Sequence, residues 1–499
     1  RLRLLAGGSR DAGTRHTSLR AALDWSYRLL DDRGRVALRR LAVFAGGCTL
    51  DAAEDVLSDE RLPRADVAAV LADLDERNLV VVRARDGQRR FLLLESVHDY
   101  AEEQLTLDAR EAELTRSRHL AWCTAHVRAH DVQGDDSAAA LDAIFAEWPN
   151  LLRALDGAVG TERAADALRL ALALDDAWMF RGLHNQARRH YATLCDSPSL
   201  SDAERAQALS NYAFASTLAG DHAAAGELLD LASRHAEKAG DATLRMRVLY
   251  HRGIWFVEEG RPVDALNPLR EGARIALAAG REQSASAFDD VIATALLYSG
   301  DAAAAAELYS RANASDRRAG RTHGLVRGLV NEATALLSLG RIEAAQRCAD
   351  EGLELARALH DPVAESTLRA VAGQAALTRG ESIEAVRALR AALTELTPGE
   401  IDAHLCELDL ADALTVAGDL HAARQAVLSV LDASEQRGVV WLLAQPTLAE
   451  VTARLGDLAT AAELVAAAEQ EYAARGFGWP IAVRRLDRAR VAVARSDGG

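Results

Sequence analysis

The sequence predicts an all-α chain: a superhelical solenoid of helix hairpins, preceded by a small domain of helices that ends in one β-hairpin. Three observations predict it. A glycine followed by a charged residue recurs at a fixed period from residue 220 onward. Each period is broken once more near its middle. The first hundred residues lack that period and hold two β-rich runs around an Asp-Gly turn.

Bulk properties narrow the function classes. At 499 residues with 49% apolar, the chain is too long for one core and calls for several domains or a repeat array. Abundant alanine and only 5% aromatics suit close-packed helices. A net charge of −16 speaks against nucleic-acid or anionic-membrane binding by the whole surface. Cys48, Cys123, Cys195, Cys348 and Cys406 are scattered and odd in number, which points to a reducing compartment and a cytoplasmic protein. No apolar run approaches the ~20 residues of a membrane span, and RLRLLAGGSRD lacks a signal-peptide core. Residues 1–16 read as a linker from an upstream domain, since the chain starts without methionine.

Residues 17–103 form the first domain. SLRAALDWSYRLL is an amphipathic helix, RGRVALRRLAVFAGG a second that stops at Gly46-Gly47, LDAAEDVLS a third and ADVAAVLADLDERN a fourth. NLVVVRARDGQRRFLLLES then carries two β-rich runs flanking Asp86-Gly87, a hairpin signal. Helices followed by a two-stranded wing make a winged helix. DNA reading is not expected of it: residues 1–103 carry 17 Arg against 18 Asp and Glu, and the helix before the wing sets Asp66, Asp73, Asp75 and Glu76 against Arg77. Those carboxylates would repel phosphates. The wing arginines, Arg83, Arg85, Arg89 and Arg90, are read as solvated or turned toward the domain.

Connecting helices fill 104–165, and the array covers 166–478. Its marks are Gly220-Asp221, Gly260-Arg261, Gly300-Asp301, Gly340-Arg341, Gly380-Glu381, Gly418-Asp419 and Gly456-Asp457, spaced by 40 residues and then by 38. Between them lie Gly240-Asp241, Gly280-Arg281, Gly320-Arg321, His360-Asp361, Gly438 and Gly476. Two stops per period divide each unit into two helices of some 14 to 17 residues, with glycine supplying the left-handed cap. Five residues after each turn glycine stands alanine: 225, 265, 305, 345, 385, 423 and 461. Seven residues before it stands Ala213, Gly253, Ala293, Ala333, Gly373, Ala411 or Ala449. Small residues at both places let two helices cross closely. An eighth, degenerate unit is expected around Gly182 with Ala187, and PIAVRRLDRARVAVA, within 479–499, is expected to cap the array.

This pattern resembles the tetratricopeptide repeat, in the longer-helix variety of the bacterial maltose regulator. RLRLLAGGSRDAGTRHTSLRAALDWSYRLL, RRLAVFAGGCTLDAAE, RFLLLESVHDYAEEQL and EWPNLLRAL resemble the segment that follows the nucleotide-binding domain in bacterial STAND-class signal-transduction ATPases. These include regulators of the antibiotic-regulatory-protein and LuxR types. The resemblance implies a winged helix that packs on an upstream ATPase domain and helps hold its off state, and repeats that receive an inducer or partner. The ATPase is not in this sequence: there is no GxxxxGK[ST], and Lys238 is the only lysine. Where relatives with a Met-His-Asp sensor contact nucleotide, this chain reads Leu93, Leu94 and Glu95, and His98 one turn later is a poor substitute.

Chemical motifs are sparse. His119, Cys123, His126 and His130 share one helical stripe, which cannot easily wrap a tetrahedral ion, so a packed helix face is the reading and no metal is expected. Neither a GxSxG nor a GxGxxG fingerprint occurs, so no catalytic residue or cofactor is expected and the chain is read as non-enzymatic. The candidate partner-binding residues are those that the repeat register turns to the concave face: Gln207, Phe214, Arg247, Tyr250, Asp290, Thr294, Arg327, Thr334, Gln374, Asp412 and Glu450. That mixture suits a protein segment, a peptide or a small polar inducer. The expected function is the sensor and interaction half of a transcriptional regulator, with an upstream ATPase domain as partner and neither nucleic acid nor membrane bound directly. The alternative is a stand-alone repeat scaffold bridging two proteins.

Overall fold

The computed structural model describes residues 10–85, 88–132, 137–159, 161–359, 361–396, 401–433 and 438–496. The Asp86-Gly87 turn, His360, Gly7-Gly8 and the other residues of the 1–9 segment, and the closing Asp497-Gly498-Gly499 lie outside them. Packing divides the described residues into two compact units: one spans those to Asp131 with those of 139–177 and 196–199, the other Val132, 137–138, 178–195 and the described residues from 200 onward.

The first unit begins with α1 (Arg10–Leu29), α2 (Asp32–Leu41), α3 (Leu50–Leu57), a single 3₁₀ turn and α4 (Val67–Glu76). Strands β1 (Val81–Arg85) and β2 (Gln88–Leu92) pair antiparallel, with Arg83 opposite Arg90. An isolated bridge joins Cys48 to Phe91. Next come α5 (Glu95–Thr106), α6 (Ala109–Ala129), α7 (Ser137–Ala146) and α8 (Trp148–Ala158). The helix starts follow local chemistry: Asp31, Thr49 and Asp108 each accept a hydrogen bond from a backbone N–H of the first turn. Val36, Leu38, Leu41, Val56, Leu71, Leu74 and Leu105 close one core.

Beneath that core runs a buried charge network. Arg40, 2% exposed, donates to Glu111 at 2.7 Å, to Asp59 at 2.5 Å and to the Leu57 carbonyl. Arg39 reaches the other Glu111 oxygen at 2.7 Å. Glu111 thus ties α2 to α6, and the guanidinium of Arg40 helps hold the Asp59 carboxyl well below the ordinary carboxylate range. Such a network stays favourable only while every member is paired.

After α9 (Ala164–Phe180) and α10 (His184–Cys195) come seven hairpins. They are α11 (Asp202–Leu218) with α12 (His222–Ala239), α13 (Ala242–Glu258) with α14 (Pro262–Ala278), and α15 (Glu282–Ser299) with α16 (Ala302–Ala319). Then follow α17 (Thr322–Ser338) with α18 (Ile342–Ala358), α19 (Pro362–Thr378) with α20 (Ser382–Ala392), and α21 (Ile401–Ala417) with α22 (Leu420–Ala433). Then comes α23 (Val439–Arg454) with α24 (Leu458–Arg475), followed by α25 (Pro480–Ser496). The result is a tetratricopeptide-like solenoid. Its helices depart from the expected 14 to 17 residues at both ends, α20 having 11 and α12 18.

The sequence marks have distinct physical jobs. The turn glycines, Gly220 through Gly456, all take positive φ, between 72° and 106°. The residue after glycine caps the next helix when it is aspartate: Asp221, Asp301 and Asp457 accept from the backbone three residues on, as does Asp361. Arg261, Arg341 and Glu381 make no such bond. All seven alanines at the position after the turn are 0% exposed, as are Ala213, Ala293, Ala333, Ala411 and Ala449. A Cβ at Gly253 would overlap the Leu269 side chain, and one at Gly373 would lie 2.9 Å from Leu389. Gly182 also has positive φ, and Ala187 is buried.

Candidate ligand-binding face of the repeats

The first helix of each hairpin carries the residues assigned to the concave face, and their surroundings differ along the array. Gln207 is half-buried on α11, where Phe214 stacks on the His251 ring at 4.7 Å. On α13, Arg247 donates to Asn211 at 3.4 Å, and Tyr250 sets its ring edge-on to Phe288. Arg327 is exposed on α17. Asp290 on α15 is raised to about 6, by burial first and then by Asp316 and Asp289, against the lowering influence of Arg327.

Three of the assigned residues meet. Thr294, Thr334 and Gln374, from α15, α17 and α19, line one cavity of about 120 Å³ together with Tyr298, Tyr309, Asn331, Asp402 and Asp409. The Thr294 hydroxyl lies 2.6 Å from that of Tyr309, and the Gln374 amide donates to Asp409 at 3.0 Å. Gln207, Phe214, Arg247, Tyr250, Asp290 and Arg327 do not line it.

Asp412 and Glu450 correct the expectation of an open groove. Both are buried, 3% and 1% exposed, because α25 lies across them. Arg485 donates to Asp412 at 2.6 Å and to Asp409 at 2.7 Å; Arg488 donates to Asp412 and to Glu450, each at 2.8 Å. The helix expected only to cap the last hairpin therefore crosses the inner helices. Its lead-in reaches further back: Trp479 stacks on Tyr298 and donates to Ser338, and the Gly478 N–H donates to the Tyr298 carbonyl at 2.7 Å.

Sequence reasoning missed Arg485, Arg488, Trp479, Glu258, Asp402 and Asp409 as parts of this face. A usable signal existed for two of them. Arg485 and Arg488 stand three apart on α25, as Asp409 and Asp412 do on α21, so one turn of cations matches one turn of acids.

Glu258 and Asp402 face the same interior, since the charges of both bear on the Tyr298 phenol. Burial, and then the charge of Asp402, pushes the Glu258 carboxyl up to about 7. Asp402 is exposed to solvent at the start of α21, and the protein atoms crowding it raise its carboxyl. Among the described residues neither carboxylate has an ion-pair or hydrogen-bond partner.

In the first unit the histidine stripe is packed at its start and half-open beyond. His119 is buried against Phe44 and near Cys123 Sγ, and desolvation drives its pKa down to about 3. Trp122, His126 and His130 continue the ladder along an open groove of about 1400 Å³. No group of three or more His, Cys, Asp or Glu able to hold a metal ion occurs among the described residues. Arg90 turns inward, forming a buried pair with Glu147 and donating to the Gly47 carbonyl at 2.9 Å, whereas Arg83 and Arg89 are exposed. No described helix is long and apolar enough to cross a membrane.

No family model matches the chain. A Mycobacterium tuberculosis protein provisionally named an HTH-type transcriptional regulator is 32% identical over 257 residues, which are 50% of this chain and 29% of that protein. An uncharacterised M. tuberculosis protein is 38% identical over 120 residues, 24% of this chain and 30% of that one. The chain thus spans less than a third of the length of the curated relatives it matches. Among solved structures, a STAND protein with a tetratricopeptide repeat sensor from Pyrococcus horikoshii aligns over 82% of this chain and 64% of its own, at 13% identity and TM-score 0.43. A Rap protein complexed with competence and sporulation factor aligns over 64% and 97%, at 13% identity and TM-score 0.47.

Proposed function

We propose that this chain is the non-catalytic sensor and protein-interaction part of a STAND-type transcriptional regulator of the cytoplasm. In this reading the repeats receive an inducer, a peptide or a protein segment on their inner face. The first unit, read as a winged helix, relays the event to an ATPase domain that precedes it in the full-length protein. The observation that carries the reading is the inner face itself, where polar groups from three successive hairpins converge on one cavity. The 32% identity to a protein named as a transcriptional regulator supports the regulatory half.

The first unit has the wrong charge for a DNA reader. Arg77 is tied to Asp73 on α4, and Arg33 to Asp66. Ligand binding would act by favouring one of two docked states of the ATPase domain, and its effect cannot exceed its differential affinity for them. The test is deletion of residues 200–496 from the full-length regulator, followed by nucleotide-hydrolysis and reporter-transcription assays. Loss of inducer response with altered basal output is expected. Unchanged hydrolysis and output would remove the reading.

A further inference from the structure

The inner face of the repeats is already occupied by a helix of the same chain, α25. Resting on the sensor reading above, we propose that α25 is a displaceable internal ligand, seated where the repeats bind an amphipathic helix of a partner that carries arginines one turn apart.

The seat is built for cations rather than merely acidic. Asp412 takes one guanidinium on each oxygen, from Arg485 and Arg488, while also accepting from the Thr447 hydroxyl at 3.1 Å. Glu450 takes Arg488 on one oxygen and Arg454, from its own helix, on the other. Gln374 fixes Asp409 for Arg485. Asp409 and Asp412 are thus each held by a neighbouring hairpin, and Glu450 by its own helix, independently of α25. Charge-assisted pairs of this kind select guanidinium over ammonium because two directed N–H groups meet oriented carboxylates.

Three features argue that α25 is a partial fit. The cavity of about 120 Å³ remains open beside Trp479, Ile481 and Arg485. Glu258 and Asp402 face the lumen with no cation against them. The apolar strip that α25 buries is Ile481, Ala482, Leu486 and Ala489, so its second half presents only one large side chain. A partner helix with a further arginine or lysine beyond its anchor residue would neutralise the remaining carboxylates and fill the cavity. It would then outcompete α25 despite the tether that favours the internal segment.

The probe is a fluorescent synthetic peptide with the sequence of residues 477–494, added to the full chain; its control replaces every arginine by citrulline. Hydrogen exchange of α25 is followed beside that of α21 and α23. Expected is exchange in α25 at least tenfold faster than in α21 and α23, raised a further fivefold by the peptide and unaffected by the citrulline control. In the variant Arg485→Ala with Arg488→Ala, checked for retained helicity, the peptide should bind at least tenfold more tightly than to wild type. If α25 exchanges in wild type only at the rate of α21 and α23, or if the citrulline peptide acts equally, the proposal is overturned, whether or not the variant folds. Failure of the sensor reading is scored separately: a full-length regulator indifferent to repeat deletion leaves these binding results standing.

Discussion

At the scale of single residues, the array depends on side chains that are nearly absent. Ala305 is completely buried where two helices of one hairpin cross, so enlarging it forces them apart. Ala305→Leu should cost ~1–3 kcal/mol, read as a lower urea midpoint, whereas Ala303→Leu, two residues earlier on the exposed side of α16, should change little. Glu258 makes a second residue-scale prediction. Its folded pKa of about 7 lies above its ordinary 4.5, so the folded chain holds that proton more tightly than the unfolded one. Its contribution is therefore most favourable below the unfolded pKa and declines as pH rises toward 7. Glu258→Gln should flatten this slope and stabilise the chain at pH 8 by on the order of 1–3 kcal/mol, checked by urea titrations at pH 5 and 8. Unequal stabilisation at the two pH values is the expected result; equal stabilisation would remove the charge from the account.

At the scale of elements, periodicity made the helices legible and tertiary contacts did not follow from it. The Gly-plus-charge marks placed every hairpin turn from Gly220 to Gly456, because a left-handed residue and an N-cap are local requirements. β1 and β2 were equally local. What periodicity cannot report is which acid meets which arginine across 70 residues of sequence. Asp412 and Glu450 therefore read as open groove lining, while α25 covers them. Thr294, Thr334 and Gln374, by contrast, line the cavity of about 120 Å³. The Arg40 network shows the same limit: nothing in the local sequence of Glu111, in the first turn of α6, announces the two arginines of α2 that bury it. Glu111→Ala should destabilise the first unit by ~1.5–3 kcal/mol, because the Nε–H of a guanidinium that is 2% exposed loses its acceptor while Asp59 and the Leu57 carbonyl keep the others. A thermal melt of the full chain checks this as a selective downward shift of one transition.

At the scale of the molecule, the repeat unit departs from a linear stack. In an ideal solenoid each repeat touches only its neighbours, so stability adds along the array and ends unfold before middles. Here residues far apart in sequence meet: Arg475 donates to the Glu259 carbonyl, Gly478 to that of Tyr298, and a Cβ at Gly438 would come within 2.8 Å of the Glu258 carbonyl. One buried apolar cluster accordingly runs from Met246 to Leu486. Contacts that bridge early and late hairpins reward folding both together, so the hairpins from α13 to α24 should unfold in a single transition. Gly438→Ala tests the bridge without touching either hairpin core, since Gly438 has φ of −85° and alanine adopts that backbone freely. The wild-type chain should give coincident urea transitions by tryptophan fluorescence and circular dichroism for this unit. The variant should separate them, with a lower apparent m-value, as the late hairpins melt ahead of the early ones. Coincident transitions in both proteins, shifted by the same amount at each probe, would show that the bridge adds stability without coupling the two ends.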